Sequence, residues 1–170
     1  MTHRIPLTIG RARTPSGLYA VVDDSDYERV AGRSWRVFLS PFGRVYAATG
    51  DGALMHRFIL AAQKGQEVDH INGDGLDNTR GNIRLCTYSQ NLATQGARQT
   101  YAGRPTASKF KGVSRNEGRP RPWRATISFQ RKQHFLGTYP TEELAAKAYD
   151  EAAVRFFGAF ASTNFPVEGA

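Results

Sequence analysis

The chain has 170 residues, a formal net charge of +8 and a pI near 10.0. That length suits one compact domain or two small ones, and 40% hydrophobic with 22% charged residues argues against global disorder. The basic balance favours a polyanionic partner, nucleic acid ahead of an anionic membrane. The single cysteine, Cys86, excludes an intramolecular disulfide and any zinc site built on paired cysteines. With no apolar run of about 18 residues and no secretory signal at the start, a soluble, cytoplasmic protein is expected.

The first 60 residues read as short strands with one helical turn. Leu18 to Val22 is a strand by its β-branched and aromatic content. Asp24 to Ala31 is a short helix with acids in its first turn. Trp35 to Leu39 and Arg44 to Ala48 are two strands around the turn-forming Pro41-Phe42-Gly43. The aromatics Trp35, Phe38, Phe42 and Tyr46 are expected in the core, where such residues usually lie. No chemistry suggests itself here, and a supporting role for the first 50 residues is favoured over further DNA contact.

Chemistry concentrates between Glu67 and Asn91. Val68-Asp69-His70 reads as a strand end, and Asn72-Gly73-Asp74-Gly75 as a loop. Asn82 to Cys86 alternates polar and apolar residues, as a strand with one buried face should. Thr87-Tyr88-Ser89-Gln90 fits a capping box, so a helix begins near Tyr88 with Asn91 in its early turns. Asp69 and Asn91 are hard oxygen donors suited to Mg²⁺. His70 is a candidate base that titrates near working pH, and Asn82 can lie across from it. A calcium loop starting at Asp69 fails on spacing, because its twelfth position is Arg80 where a bidentate Glu is needed. Turn preference accounts for Asp74, Asp77 and Asn78.

The run Val-Asp-His-x-Asn-Gly, then Asn-Ile-Arg, then Ser-Gln-Asn, resembles the HNH nuclease motif of phage and intron-borne homing endonucleases, over about Leu54 to Thr94. The resemblance implies a ββα-metal fold in which Asp69 and Asn91 match the metal ligands. His70 then matches the general base and Asn82 the asparagine that orients it. It implies a divalent metal, Mg²⁺ or Mn²⁺, and hydrolysis of DNA phosphodiesters. His56 matches an upstream histidine, either a substrate-side contact or a structural hydrogen bond. Arg57, Arg80 and Arg84 could hold the DNA backbone.

From Arg98 to Lys132 there are ten basic residues against one acid, Glu117. The small, polar stretch 96–108 reads as a connection, with the linker proper at 98–107. Beyond it, Phe110 to Val113, Trp123 to Phe129 and Gln133 to Tyr139 read as strands. Thr141 to Phe157 reads as a helix capped by Thr141 and stopped by Gly158. Its apolar face runs through Leu144, Ala145, Ala148, Tyr149, Ala152 and Phe156. In the second strand Ala125, Ile127 and Phe129 alternate with Arg124, Thr126 and Ser128, leaving the second set outward for phosphates or base edges.

The segments Lys109 to Arg115, Trp123 to Ile127, Phe135 to Pro140, Glu143 to Ala153 and Asn164 to Pro166 resemble an AP2 DNA-binding domain, over about Ser108 to Pro166. The resemblance implies a three-stranded antiparallel sheet packed on one helix, with the sheet face in the major groove. Lys111, Ser114, Asn116, Thr126, Ser128 and Gln133 match its DNA-facing positions, with Arg115 and Arg131 nearby. Lys111, Ser114 and Ser128 stand where the better-known plant members carry arginine, so base preference does not transfer.

The expected architecture is therefore α+β. A β-rich N-terminal region leads into a nuclease core, 1–97 in all with the core at about 54–97, followed by the linker and an AP2-like domain at 108–170. The expected activity is that of an endonuclease acting on double-stranded DNA, with no membrane and no obligate protein partner evident. The alternatives are a non-catalytic DNA-binding regulator that retains a nuclease-like fold, and a basic RNA-binding protein.

Overall fold

The computed structural model describes residues 1–10, 12–41, 43–97, 100–101 and 104–166. Its contacts divide the chain into two units, Met1–Thr87 and Tyr88–Ala170. This division falls ten residues ahead of the expected end of the nuclease region.

The first unit opens with β1 (Thr2–Ile9) and β2 (Thr14–Asp23), an antiparallel pair. Alternation sets their faces: Ile5 lies opposite Ala20 and points into the core, while Arg4 and Pro6 face outward. Next come α1 (Asp24–Ala31), β3 (Arg36–Leu39) and β4 (Val45–Ala48), giving the sheet order β2-β1-β3-β4. β1 meets β3 only at Thr8, parallel to Arg36. Pro6, beside a register shift, sits where that ladder is open, which is where a strand proline is tolerated. Pro6 and the flanking polar residues hid β1 from a hydrophobicity reading.

The core joins Ile5, Leu7, Ala20, Val22, Val30 and Trp35 to Met55, Ile59, Val68 and Ile83. Trp35 is buried and donates its indole N–H to the carbonyl of Val30 at 2.8 Å. Phe38, expected in the core, is instead exposed: it lies opposite Tyr46 on the sheet face away from Ala47. Phe42 lies outside the described residues. A short α2 (Met55–Ile59) follows, then β5 (Glu67–His70) and β6 (Ile83–Cys86), an antiparallel hairpin.

Arg80 ties the β5–β6 loop to α1. Its Nε and Nη2 donate to the two oxygens of Asp26, at 2.7 and 2.8 Å, and its backbone N–H donates to Asp23. Asp26 is 1% exposed, with Arg29 as a second, longer partner at 3.3 Å. A carboxylate this deep is tolerated because it is paired. Arg80→Ala is therefore expected to cost about 3 kcal/mol, the low end for leaving a buried ion unpaired, since Arg29 remains. Urea unfolding measures it; a loss under about 1 kcal/mol would mean that the pair behaves as a surface bridge.

The second unit begins with α3 (Tyr88–Thr94), followed by the short pair β7 (Thr100–Tyr101) and β8 (Arg104–Pro105) inside the expected linker. Linker residues 98, 99, 102 and 103 lie outside the described residues. β9 (Val113–Arg115), β10 (Trp123–Phe129) and β11 (Lys132–Tyr139) form an antiparallel sheet in the order β11-β10-β9, and α4 (Glu142–Phe157) packs on it. The Thr141 hydroxyl caps α4 by accepting from the N–H of Leu144, and Gly158 ends it at φ +52.

Two expectations shift here. β9 starts at Val113, not Phe110, because the N–H groups of Phe110 and Lys111 bond to the side chains of Ser108 and Asn164. Leu144 is exposed, whereas Ala145, Ala146, Tyr149, Ala152, Ala153 and Phe157 carry the buried face. Ala93 of α3 and Ile127 of β10 complete this second core. Among the described residues no helix is long and apolar enough to cross a membrane.

Candidate functional site

The β5–β6 register builds the first site. Asp69 lies directly opposite Arg84, and His70 opposite Ile83. Facing side chains in such a pair share a sheet face, so Arg84 Nε and Nη2 reach Asp69 Oδ2 at 3.0 and 2.9 Å. His70 turns to the other face, with Val68, against the core. Both Asp69 and His70 are buried.

On that face the His70 ring meets His56 of α2 edge-on at 4.8 Å and Tyr46 of β4 at 5.9 Å. His56 is buried with its Nδ1 unpartnered, and burial pushes its pKa down to about 3, helped by the charges of His70 and Arg57. It is thus a neutral ring packed against His70. Burial also lowers the His70 pKa, opposed by the Asn78 carboxamide and the charges of Asp69, Asp74 and Asp77. His70 is neutral at pH 7, as a proton acceptor must be.

The loop between the strands is a chain of side-chain-to-backbone bonds. Asn72 Oδ1 accepts from the N–H of Asp74, Asp74 Oδ1 from that of Leu76, and Asp77 Oδ1 from that of Thr79. These are the turn roles expected of the acids. Asn82 closes the loop: its Oδ1 accepts from the N–H of Asn72 at 3.0 Å, and its Nδ2 donates to the carbonyl of Asp77 at 2.8 Å. β2 grips the same loop, since the Val21 N–H donates to Leu76 O and its carbonyl accepts from the Asn78 N–H. Gly75 is required where the loop crosses β4, because a Cβ there would stand 2.3 Å from the Val45 carbonyl and 2.5 Å from the Tyr46 ring.

Asn78 is the residue that sequence reasoning passed over. It is fully buried, its Nδ2 donates to Leu76 O, and its Oδ1 faces the His70 imidazole without a hydrogen bond of full geometry. His70 Nε2 is likewise buried and unpartnered. In the sequence Asn78 is one turn-former among several, and nothing in its type or spacing separates it from Asp77.

The other expected residues divide. Arg84 joins the site through Asp69. The Arg57 guanidinium instead donates to the carbonyls of Gln63 and Gln66. Asn91, the expected second oxygen ligand, lies on α3, whose contacts belong to the second unit. Among the described residues no three His, Cys, Asp or Glu side chains gather to hold a metal. An oxygen-ligated Mg²⁺ needs only one or two carboxylates with water and phosphate, and the Asp69 carboxylate fits that chemistry.

In the second unit the outer sheet face carries Ser114, Arg124, Thr126, Ser128 and Gln133. Register places Ser114 beside Arg124 and Gln133 beside Ser128. Arg124 lies over the exposed Phe135 ring at 5.2 Å. Arg131, at φ +63, stands exposed at the β10–β11 turn, and Asn116 lies in the β9–β10 loop. Arg115 stacks on Trp123 at 5.5 Å. Lys111 is placed differently: its ammonium donates to the carbonyls of Ala93 and Gln95 at the end of α3, and burial lowers its pKa to about 8. It is a helix-end cap in this structure.

The hairpin that carries Asp69 and His70, and the basic sheet that packs on a helix, are each similar to parts of known proteins. The HNH endonuclease family matches residues 54–93, the span that holds His56, Asp69, His70, Asn78 and Asn82. An uncharacterized HNH endonuclease of Acanthamoeba polyphaga mimivirus is 34% identical over 97 residues, covering 57% of this chain and 46% of that protein. An ethylene-responsive transcription factor of Arabidopsis thaliana is 44% identical over 142 residues, covering 79% of this chain and 33% of its own. An AP2/ERF and B3 domain-containing protein of Oryza sativa subsp. japonica is 43% identical over 73 residues, covering 41% and 19%. The chain spans less than half the length of each of these relatives.

Proposed function

We propose that this protein is a metal-dependent endonuclease of double-stranded DNA, of the kind phages and introns carry, directed to DNA by its AP2-like unit. The observation that carries the reading is His70. It is a neutral, buried imidazole next in the chain to a buried carboxylate, inside the segment that matches the HNH endonuclease family. Its Nε2 is buried, as is Asn78 Oδ1, an acceptor that interacts with the imidazole. A proton held on Nε2 leaves Nδ1 as the basic nitrogen. His70 Nδ1 then takes the proton of a water whose oxygen attacks phosphorus, and the P–O bond to the leaving 3′ oxygen breaks. A divalent cation, Mg²⁺ or Mn²⁺, would be held by Asp69 with water, and would supply charge stabilisation at the phosphate. Arg84 fixes the Asp69 carboxylate, while His56 and Tyr46 wall the imidazole. Ser114, Arg115, Asn116, Arg124, Thr126, Ser128, Arg131 and Gln133 are the DNA-facing residues of the second unit. That surface supplies site choice to a nuclease centre that touches mainly backbone.

A supercoiled-plasmid assay tests this. Nicked or linear product is expected with Mg²⁺ or Mn²⁺ and none with EDTA. One observation favours the regulator reading: Asp69 Oδ2 takes both bonds from Arg84. Tight, salt-sensitive plasmid binding with no cleavage under either metal, on target-bearing DNA, would establish that reading instead.

A further inference from the structure

The N-terminal sheet has a cavity that the nuclease reading leaves unused. Where β1 loses its β3 partner below Thr8, α1 and the 33–35 segment close over the gap and leave a space of about 320 Å³. Arg4, Arg13 and Arg33 line it, with Ser34 and Tyr27, and no carboxylate does. None of the three arginines has an ion pair among the described residues; Asp51 feels the charge of Arg33 but lies outside the lining.

Two of the guanidinium groups lie over aromatic rings that are not part of the lining. Arg33 lies over the Phe58 ring at 4.2 Å and Arg4 over Tyr19 at 5.9 Å. Stacking holds the plane of a guanidinium and leaves its N–H edge open. Arg13 adopts φ +53, a left-handed conformation uncommon for a side chain of its size. Three unneutralised, weakly hydrated cations around one concavity form a site for a polyoxyanion.

We infer that the cavity bounded by Arg4, Arg13 and Arg33 binds a backbone phosphate of duplex DNA, a second anchor carried by the first unit itself. The inference rests on the DNA-binding part of the proposed function. It explains why this unit would carry three arginines around a cavity that no acid lines. Arg57, Arg80 and Arg84, which the sequence suggested for the backbone, are all bonded within the protein.

The test is duplex binding by the full chain, followed by anisotropy as a function of salt. Each phosphate contact contributes ~0.9 to the slope of log affinity against log salt. Arg4→Gln/Arg13→Gln/Arg33→Gln is expected to lower that slope by about 0.9, the loss of one phosphate contact, with the melting temperature kept. The triple Arg→Lys variant should retain most of the slope, since charge is kept. An unchanged slope in a folded triple Gln variant overturns the inference. So does a variant that loses inhibition by inorganic phosphate but binds duplex normally, because the cavity is then a small-anion site. Arg124→Gln/Arg131→Gln separates the two readings. If it weakens binding while the N-terminal variant does not, only this inference fails; if neither does, the DNA-binding reading fails with it.

Discussion

His70→Ala is expected to lower DNA cleavage by roughly 10² to 10⁴-fold, the usual contribution of a general base, while leaving duplex affinity within about twofold. The physical reason is the separation of roles. His70 is buried against His56 and Tyr46 and offers little surface to DNA, whereas on the proposed function the electrostatic attraction would come from the arginines of the DNA-facing surface. Removing the imidazole opens a small void in a wall of rings, so the variant must be shown to melt as the parent does. His70→Gln, which keeps a polar side chain without a comparable base, should lose cleavage to a similar extent. Single-turnover cleavage at saturating DNA is the measurement. Activity within tenfold of the parent in both variants would remove His70 from the chemistry and leave the family match as a likeness of fold.

Gly112→Val is expected to unfold the second unit, with a cost of at least about 3 kcal/mol from overpacking and left-handed strain together. Gly112 stands at φ +74, and a Cβ there would lie 2.0 Å from Tyr149 Cδ2 and 2.6 Å from the carbonyl of Thr126. Neither can give way. Tyr149 is 4% exposed in the core, and the Thr126 peptide is held by its own N–H bond to the Gly112 carbonyl at 2.9 Å. Gly118 is the comparison, because it has a similar φ of +75 with nothing within 4 Å. Gly118→Ala should therefore cost only about 1 kcal/mol, the strain of the left-handed backbone. Thermal melts and duplex binding of both variants read this out. If both cost the same, backbone strain alone governs the position and the packing argument is wrong.

Much of the candidate site was legible because its signals are local. Val68-Asp69-His70 and Asn82 to Cys86 declare themselves as strand ends around a loop of turn-formers, and the hairpin forms with those residues paired. Alternation along Trp123 to Phe129 predicted which side chains stay outside, and Thr141 predicted its cap, because capping involves only the next three residues. The misses are non-local. Asn78 reads as a turn residue until β2 seizes its peptide and buries its side chain beside His70. Lys111 reads as a DNA contact until the end of α3 offers it two carbonyls.

The sequence by itself determined the elements, the polar face of the basic sheet, the pairing of carboxylate and imidazole on one strand, and the excess of positive charge. Each follows from periodicity, capping or composition, which need no knowledge of what lies across the chain. Only the tertiary structure decided which arginines are engaged and which are open. Arg80 is drawn to Asp26, 54 residues away, because that carboxylate is buried and must be paired. Arg4, Arg13 and Arg33 meet around one cavity because β1 and β3 part company at Thr8. A buried charge and an interrupted ladder are properties of packing, and they separate cations that read alike along the chain.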